Sequence, residues 1–230
     1  MSEDPVLVIT GASSGIGAAT ARRAVEFGYR VTLAARSADK LEALSEELGG
    51  QDRALALACD VTSWEDQQGL VAGTLEEFGR MDVFFANAGF GAKRGFLEES
   101  VEHWKSMIDT NVFGAALSIR ASLGHFRKQN SGHLVLTSSV AGRRALPGSL
   151  YSATKHAVTA MGEALRAEVA ETDIKVTLIE PGAVDTPFFE NPVSNALEAD
   201  DIARAVMFAL TQPPHVDVNE ILVRPIHQPS

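Results

Sequence analysis

The sequence has little cysteine, few basic residues relative to acidic ones, and no long apolar run. Its single cysteine, Cys59, excludes a disulfide within the chain and a cysteine cluster for zinc. No two of its six histidines have the HxH or HxxxH spacing, so we expect no metal site. With 30 acidic and 20 basic residues, the net charge is −10. This balance argues against nonspecific nucleic-acid binding and against a basic helix on a membrane surface.

Targeting and membrane signals are also missing. No apolar run approaches the roughly 18 residues that suggest a transmembrane helix. The acidic start MSEDP does not resemble a signal peptide, and we therefore expect a cytoplasmic protein. The composition, 45% apolar and 22% charged, excludes a disordered chain. At roughly 150 residues per domain, the length favours one large domain over 1–230.

Seven short apolar runs alternate with helix-length segments. Nearly continuous apolar runs are typical of strands that are covered on both faces. The runs are 6–10, 30–35, 54–59, 82–86, 133–138, 175–180 and 220–223. The alternation predicts an α/β fold, a single-domain doubly wound parallel sheet of about seven strands with helices on both faces. The stretch 181–199 is the longest irregular one, and we expect it to be a substrate loop.

A glycine-rich turn, TGASSGIG over 10–17, joins the first predicted strand to the first predicted helix. Glycines 11, 15 and 17 allow a tight turn that passes close to a ligand. The N-terminus of the helix offers free N–H groups and partial positive charge to a pyrophosphate. The turn alone is also compatible with an ordinary strand–helix connection, but its position favours a nucleotide site.

The spacing TGxxxGxG and the motifs that follow it resemble the short-chain dehydrogenase/reductase family. These motifs lie in the family's order between 10 and 186. They are Asn87-Ala88-Gly89, Asn111, Ser138-Ser139-Val140-Ala141-Gly142, the YxxxK pair Tyr151 and Lys155, and Pro181-Gly182 with Thr186. The resemblance implies a Rossmann-type fold, a nicotinamide cofactor, hydride transfer between a carbonyl and an alcohol, and a homodimer or homotetramer.

Tyr151 and Lys155 lie four residues apart and would share one face of a helix. An apolar stripe, Val158, Gly162 and Leu165, continues that face, so the pair should face the sheet. A free phenol has a pKa of about 10, and a nearby ammonium is expected to lower it towards neutrality. By resemblance, Tyr151 is the general acid/base, Lys155 also holds the nicotinamide ribose, and Asn111 supports a water next to Lys155.

The resemblance also implies a serine that orients the substrate oxygen, and two serines qualify. The usual family spacing selects Ser138, which lies 13 residues before Tyr151. The local motif, a serine followed by a hydrophobic residue, a small residue and glycine, selects Ser139. A one-residue shift on a strand moves a side chain to the other face. We favour Ser139, because loops absorb deletions more readily than strands, and retain Ser138.

The second predicted strand ends at Ala35, where NAD-preferring relatives have an acidic residue, and Arg36 follows. A guanidinium suits a 2′-phosphate, so we expect NADP(H). Asp60-Val61 resembles the pair that contacts adenine, although an acid at a helix N-terminus is an alternative for Asp60. The implied cofactor-binding residues are Gly11, Ser13, Ser14, Gly15, Ile16, Gly17, Arg36, Asp60, Val61, Asn87, Ala88, Gly89, Tyr151, Lys155, Pro181, Gly182, Val184 and Thr186.

The substrate is expected to be a small carbonyl or alcohol, such as a hydroxy acid, in a pocket with apolar lining. Candidates for that lining are Phe90, Phe96, Leu146, Phe188 and Phe189. Two basic pairs, Lys93-Arg94 and Arg143-Arg144, would attract a carboxylate unless they are solvated or lie at a subunit contact.

Two other functions are compatible with the same motifs. One is a non-catalytic NADP-binding sensor or scaffold. The other is a sugar-nucleotide epimerase or dehydratase, which shares YxxxK but normally has another glycine spacing.

Overall fold

Seven parallel strands form the central sheet. The computed structural model describes residues 4–189 and 191–228. The strands of this sheet are β1 (Val6–Thr10), β2 (Arg30–Ala35), β3 (Ala54–Ala58), β4 (Val83–Ala86), β5 (Ser131–Thr137), β6 (Asp173–Pro181) and β9 (Glu220–Val223). Their order is β3-β2-β1-β4-β5-β6-β9, and every pairing is parallel. The predicted α/β sheet is confirmed.

Helices cover both faces of this sheet. They are α1 (Gly15–Glu26), α2 (Ala38–Glu47), α3 (Trp64–Phe78), α4 (Val101–Ile108), α5 (Ala115–Gln129), α6 (Leu150–Glu168) and α7 (Ala199–Leu210). Alternate residues of a strand point to opposite faces, so each strand contributes to two cores. Leu7 and Ile9 pack with α1, α2 and α7, whereas Val8 packs in the core that α3, α5 and α6 cover. None of the described helices is long and apolar enough to cross a membrane.

Two irregular helical segments lie beside the carboxyl edge of the sheet. A π-helix over Asp109–Gly114 joins α4 to α5, and a 3₁₀ turn over Val140–Gly142 follows β5. π-helical turns are rare and often occur at functional sites. The first contains Asn111, and the second begins directly after Ser139.

The segment 181–199 has more regular structure than the sequence suggests. Val184–Asp185 forms β7 and Leu197–Glu198 forms β8, and the two strands pair in parallel as a separate small sheet. The expectation that this stretch is irregular was therefore wrong at both ends. Two-residue strands are too short to produce a recognisable period in the sequence.

Candidate active site

A cavity of about 570 Å³ runs along the carboxyl ends of the parallel strands. Open α/β sheets bind ligands at this edge, and the volume lies within the range of roughly 300–1,000 Å³ for ligand pockets. The segments that follow β1, β2, β3, β4, β5 and β6 all contribute to its wall. All of the predicted catalytic and cofactor-binding residues line the cavity except Gly17 and Asn111.

The glycine turn has little room for side chains. Gly11 and Gly15 adopt φ values of +67° and +52°, which disfavour other residues. A Cβ atom on Gly17 would lie 2.3 Å from the Gly11 carbonyl oxygen, and one on Gly15 would lie 3.2 Å from Thr186 Cβ. The turn therefore brings backbone N–H groups to the cavity at the start of α1, a cradle that fits a pyrophosphate.

Arg36, which follows β2, and Asp60, which follows β3, line the cavity beside this turn. Together with 11–17 they form what we call the glycine-loop end. The Asp60 carboxylate accepts hydrogen bonds from the Thr62 amide and hydroxyl, at 2.9 and 2.8 Å. These bonds and the nearby Arg36 lower the pKa of Asp60. Since α3 begins at Trp64 with Ser63 as its N-cap, the alternative of a helix N-terminal acid is wrong for Asp60.

A hydrogen-bonded chain crosses three strand ends and reaches α6. The Asn87 side chain donates to the Thr10 carbonyl at 3.1 Å and accepts from the Thr137 hydroxyl at 3.1 Å. The Lys155 ammonium in turn donates to the Thr137 carbonyl at 2.7 Å. The sequence motifs identified Asn87 and Lys155, but the role of Thr137 was missed, because nothing in its local sequence distinguishes it from other strand residues.

Tyr151 and Lys155 lie on the buried face of α6, as the sequence predicts. Helix α6 begins after Ser149, whose hydroxyl accepts a hydrogen bond from the Ser152 amide. The predicted apolar stripe of Val158, Gly162 and Leu165 is buried against the sheet. The Lys155 Nζ atom lies 5.7 Å from the centroid of the Tyr151 ring.

The two candidate serines point in different directions. The Ser139 hydroxyl lies close enough to Tyr151 to affect the pKa of the phenol, and it donates to the Pro181 carbonyl at 3.2 Å. The Ser138 hydroxyl faces the body of α6, where it donates to the Lys155 carbonyl at 3.1 Å and contacts the Thr159 hydroxyl at 2.7 Å. The geometry therefore brings Ser139, and not Ser138, to the Tyr151 phenol.

The pKa of Tyr151 shifts in the direction opposite to the one expected from the sequence. Burial raises the pKa of Tyr151 above its ordinary value, and the neighbouring Ser139 side chain opposes this effect only partly. Burial lowers the pKa of Lys155 to about 8. The expectation that the ammonium makes the phenol more acidic is therefore wrong for this structure: the ammonium points to Thr137, and loss of solvation dominates for both groups.

Asn111 supports the turn after β4 rather than lining the cavity. Its side chain accepts from the Phe90 amide at 3.0 Å and donates to the Phe90 carbonyl at 2.9 Å and to the Thr154 hydroxyl at 3.1 Å. A Cβ atom on Gly89 would lie 3.0 Å from the Asn111 side-chain oxygen and 3.6 Å from Lys155 Nζ. The glycine of the Asn-Ala-Gly motif thus lets the turn approach both residues.

The other end of the cavity is apolar, and we call it the aromatic end. It consists of Phe90, Leu146, Phe188 and Phe189. Phe96 was also predicted there, but it lies outside, 62% exposed and packed edge-to-face on Trp104. Its prediction failed because a surface phenylalanine and a pocket phenylalanine look alike in a loop sequence.

The expectation about the basic pairs is also corrected. Arg94 lines the cavity, whereas Lys93, Arg143 and Arg144 do not. Arg143 forms ion pairs with Glu180 and Glu220, both at 2.6 Å, and lies 3.6 Å from Glu163. Its charge is neutralised within the fold, so Arg143 is not available to a substrate carboxylate.

The C-terminal residues contribute a site residue that the sequence did not reveal. The Gln228 side-chain oxygen accepts a hydrogen bond from the Ala183 amide at 2.8 Å, and Gln228 lines the cavity. The Gly182 amide donates to the Val223 carbonyl at 2.7 Å. A Cβ atom on Gly182 would lie 2.3 Å from the Gln228 oxygen, so the glycine of Pro181-Gly182 accommodates the tail.

Comparisons with known proteins agree with this architecture. The sequence profile of the short chain dehydrogenase family matches residues 5–196. An uncharacterized oxidoreductase of Staphylococcus haemolyticus is 43% identical over 225 residues, which cover 96% of this chain and 97% of that protein. Several solved structures that are similar to this chain contain NADP, NAD or NADH.

Two solved structures illustrate the similarity of the fold. An alcohol dehydrogenase of the archaeon Thermococcus sibiricus, complexed with 5-hydroxy-NADP, has a TM-score of 0.91 at 34% identity, and the match covers 99% of each chain. A serine dehydrogenase of Escherichia coli has a TM-score of 0.90 at 31% identity over 98% of this chain and 100% of that one. The chain is therefore an oxidoreductase that belongs to the short-chain dehydrogenase family.

Proposed function

We propose that the protein is an NADP(H)-dependent oxidoreductase that interconverts a small carbonyl compound and its alcohol, with Tyr151 as the general acid/base. The observation that carries this proposal is the placement of Ser139, Tyr151 and the buried Lys155 together at the cavity, with Lys155 Nζ 5.7 Å from the Tyr151 ring centroid. The three groups lie at the cavity edge where such folds bind ligands. The names of the similar alcohol and serine dehydrogenases support a substrate with a hydroxyl group.

In the proposed reaction, Tyr151 supplies the proton and Ser139 orients the substrate oxygen. When bound, the nicotinamide supplies the hydride for reduction or takes it up in oxidation. Because burial raises the pKa of Tyr151, the phenol is protonated at neutral pH and ready to donate to the alkoxide that forms during reduction. In the reverse direction, the phenolate that remains after this donation accepts the proton of the alcohol. Lys155 holds positive charge beside this exchange below its pKa of about 8.

The glycine-loop end supports a nicotinamide dinucleotide as the cofactor. Free backbone N–H groups at the start of α1 suit the pyrophosphate. Arg36 is exposed at this end, and no carboxylate stands at Ala35, so a ribose 2′-phosphate would meet a guanidinium instead of an acid. We therefore propose NADP(H) rather than NAD(H).

The decisive experiment compares wild type with Tyr151→Phe. We expect wild type to oxidise NADPH with at least one member of a panel of aldehydes, ketones, β-keto esters and β-keto acids. Tyr151→Phe should lower kcat by about 10²–10⁴-fold, because a general acid contributes roughly that factor. NADPH affinity, measured by fluorescence titration, should remain within about 3-fold of wild type, since the phenol-to-phenyl change preserves the packing. Tight NADPH binding without turnover by wild type would instead support the sensor or scaffold.

A further inference from the structure

An aromatic wall lies directly against the proposed acid. The Phe188 and Tyr151 rings pack edge-to-face with centroids 5.5 Å apart, and Phe189 packs on Phe188 at 5.1 Å. Phe188 and Phe189 are 40% and 39% exposed although both line the cavity. Apolar ring surface therefore remains for a ligand to cover beside the reacting oxygen.

The turn after β4 is shaped to accept Phe188. A Cβ atom on Gly91 would lie 2.7 Å from Phe188 Cζ, so only glycine lets the ring sit at this position. The Gly91 carbonyl contacts the His103 ring nitrogen at 2.8 Å, which ties this turn to α4. The ring is thus held between Gly91 and Tyr151 by packing on both sides.

Three of the four charged lining residues that the structure describes are cations, but each either has another role or is exposed to solvent. Within the part of the chain that the structure describes, the charged lining residues are Arg36, Asp60, Arg94 and Lys155. Arg36 follows β2, three strand spacings from β5, a separation of about 14 Å. Lys155 donates to the Thr137 carbonyl and belongs to the proposed proton-transfer group. Arg94 lies on the exposed part of its loop.

We propose that the substrates are uncharged carbonyl compounds with an apolar or aromatic substituent, and that Phe188 is the residue that selects them. This inference rests on the proposed function. An apolar substituent would cover the exposed faces of Phe188 and Phe189, which is favourable in proportion to the buried area. A carboxylate against these rings would lose its hydration, and it would have to compete with solvent for Arg94, the exposed cation of the neighbouring loop.

The test uses two matched substrate pairs followed by NADPH absorbance. Ethyl 3-oxobutanoate and 3-oxobutanoate differ in charge at the same skeleton, and acetophenone and acetone differ in the apolar substituent. We expect kcat/KM to be about 10-fold to 100-fold higher for the ester than for the acid, and for acetophenone than for acetone. A preference for 3-oxobutanoate would overturn the substrate class while leaving the proposed function intact. Absence of turnover with all four compounds would overturn the substrate class, and absence of turnover with the whole panel as well would overturn the proposed function.

Variants assign the selectivity to a residue. Phe188→Ala should lower kcat/KM for acetophenone about 10-fold more than for acetone, and Phe188→Leu should recover part of the loss. Phe96→Ala is the matched control, since Phe96 lies on a nearby loop but outside the cavity. It should leave kcat/KM unchanged for both acetophenone and acetone. An equal loss for both ketones in Phe188→Ala would show that Phe188 has only a structural role and would refute its assignment.

Discussion

The glycine-loop end and the aromatic end of one cavity are built from different materials. At the glycine-loop end, backbone atoms form the wall, and their conformation requires glycine at fixed positions such as Gly11 and Gly15. At the aromatic end, side chains of loops form the wall, and Phe188 and Phe189 come from the segment between β6 and α7. A wall of backbone tolerates few sequences, whereas a wall of loop side chains can change without disturbing the sheet. The first is suited to a constant cofactor and the second to a variable substrate.

Between the two ends lies the Ser139–Tyr151 contact, and breaking it should have the largest effect. Ser139→Ala is expected to lower kcat by about 10²–10³-fold, because one donor to a developing oxyanion contributes roughly that factor. Ser138→Ala is the matched control, since its hydroxyl faces α6. It should lower the free energy of unfolding and reduce kcat much less than Ser139→Ala does. Steady-state kinetics and urea unfolding of both variants check this. The reverse ranking in kcat would return the role to Ser138.

The next largest effect is expected from removing the ion pairs of Arg143, which stabilise the wall near the aromatic end. The Glu180 side chain is only 2% exposed, so Arg143→Met leaves a buried carboxylate without its partner. Since Arg143 itself is 31% exposed, we expect a loss of about 2–3 kcal/mol in the free energy of unfolding at pH 7, less than for a fully buried pair.

The loss caused by Arg143→Met should depend on pH. Burial raises the pKa of Glu180, and removal of Arg143 raises it further. The folded state then binds more protons than the unfolded state between the two pKa values, so stability falls as pH rises through that window. The deficit should shrink toward about pH 5, near the ordinary glutamate pKa. Arg127→Met, which breaks the exposed pair with Glu168, should cost under about 1 kcal/mol at either pH. A deficit independent of pH would contradict this account.

At the glycine-loop end, Arg36→Ala should reduce the preference for NADPH over NADH. We expect kcat/KM with NADPH to fall about 10-fold to 100-fold while the value with NADH stays within about 2-fold, because only the 2′-phosphate loses a charge-assisted partner. Lys40→Ala removes another exposed positive charge on α2 and controls for the general electrostatic field. If NADH is used as well as NADPH by wild type, the cofactor proposal fails.

The smallest effect concerns the buried ammonium of Lys155. Its pKa of about 8 in the folded protein lies below the ordinary lysine value, so the unfolded state binds more protons between about pH 8 and 10. The stability of wild type relative to Lys155→Met should therefore rise by about 1 kcal/mol per pH unit across that window. Guanidinium unfolding at pH 7, 8, 9 and 10 measures this. A flat difference would show that the ammonium is better solvated than its burial indicates.

The sequence could predict the features that depend on local patterns, but not those that depend on contacts between distant residues. The sheet, the glycine turn and the Tyr151–Lys155 face follow from local periodicity and spacing, and each appears in the structure. The Gln228–Ala183 contact and the pairing of Arg143 with Glu180 join residues that are 45 and 37 positions apart, and no local pattern records such contacts. The direction of the Tyr151 pKa was missed for a related reason. Spacing places an ammonium near a phenol, but only the folded structure shows how completely both are removed from water.

The wall beside Pro181 also depends on residues that come late in the chain. Glu220 holds Arg143, the Val223 carbonyl holds Gly182, and Gln228 holds Ala183. All three anchoring residues follow the glycine turn by more than 200 positions. Residues 220–228 are made after all the other segments that line the cavity, so this wall should be completed only after they emerge from the ribosome.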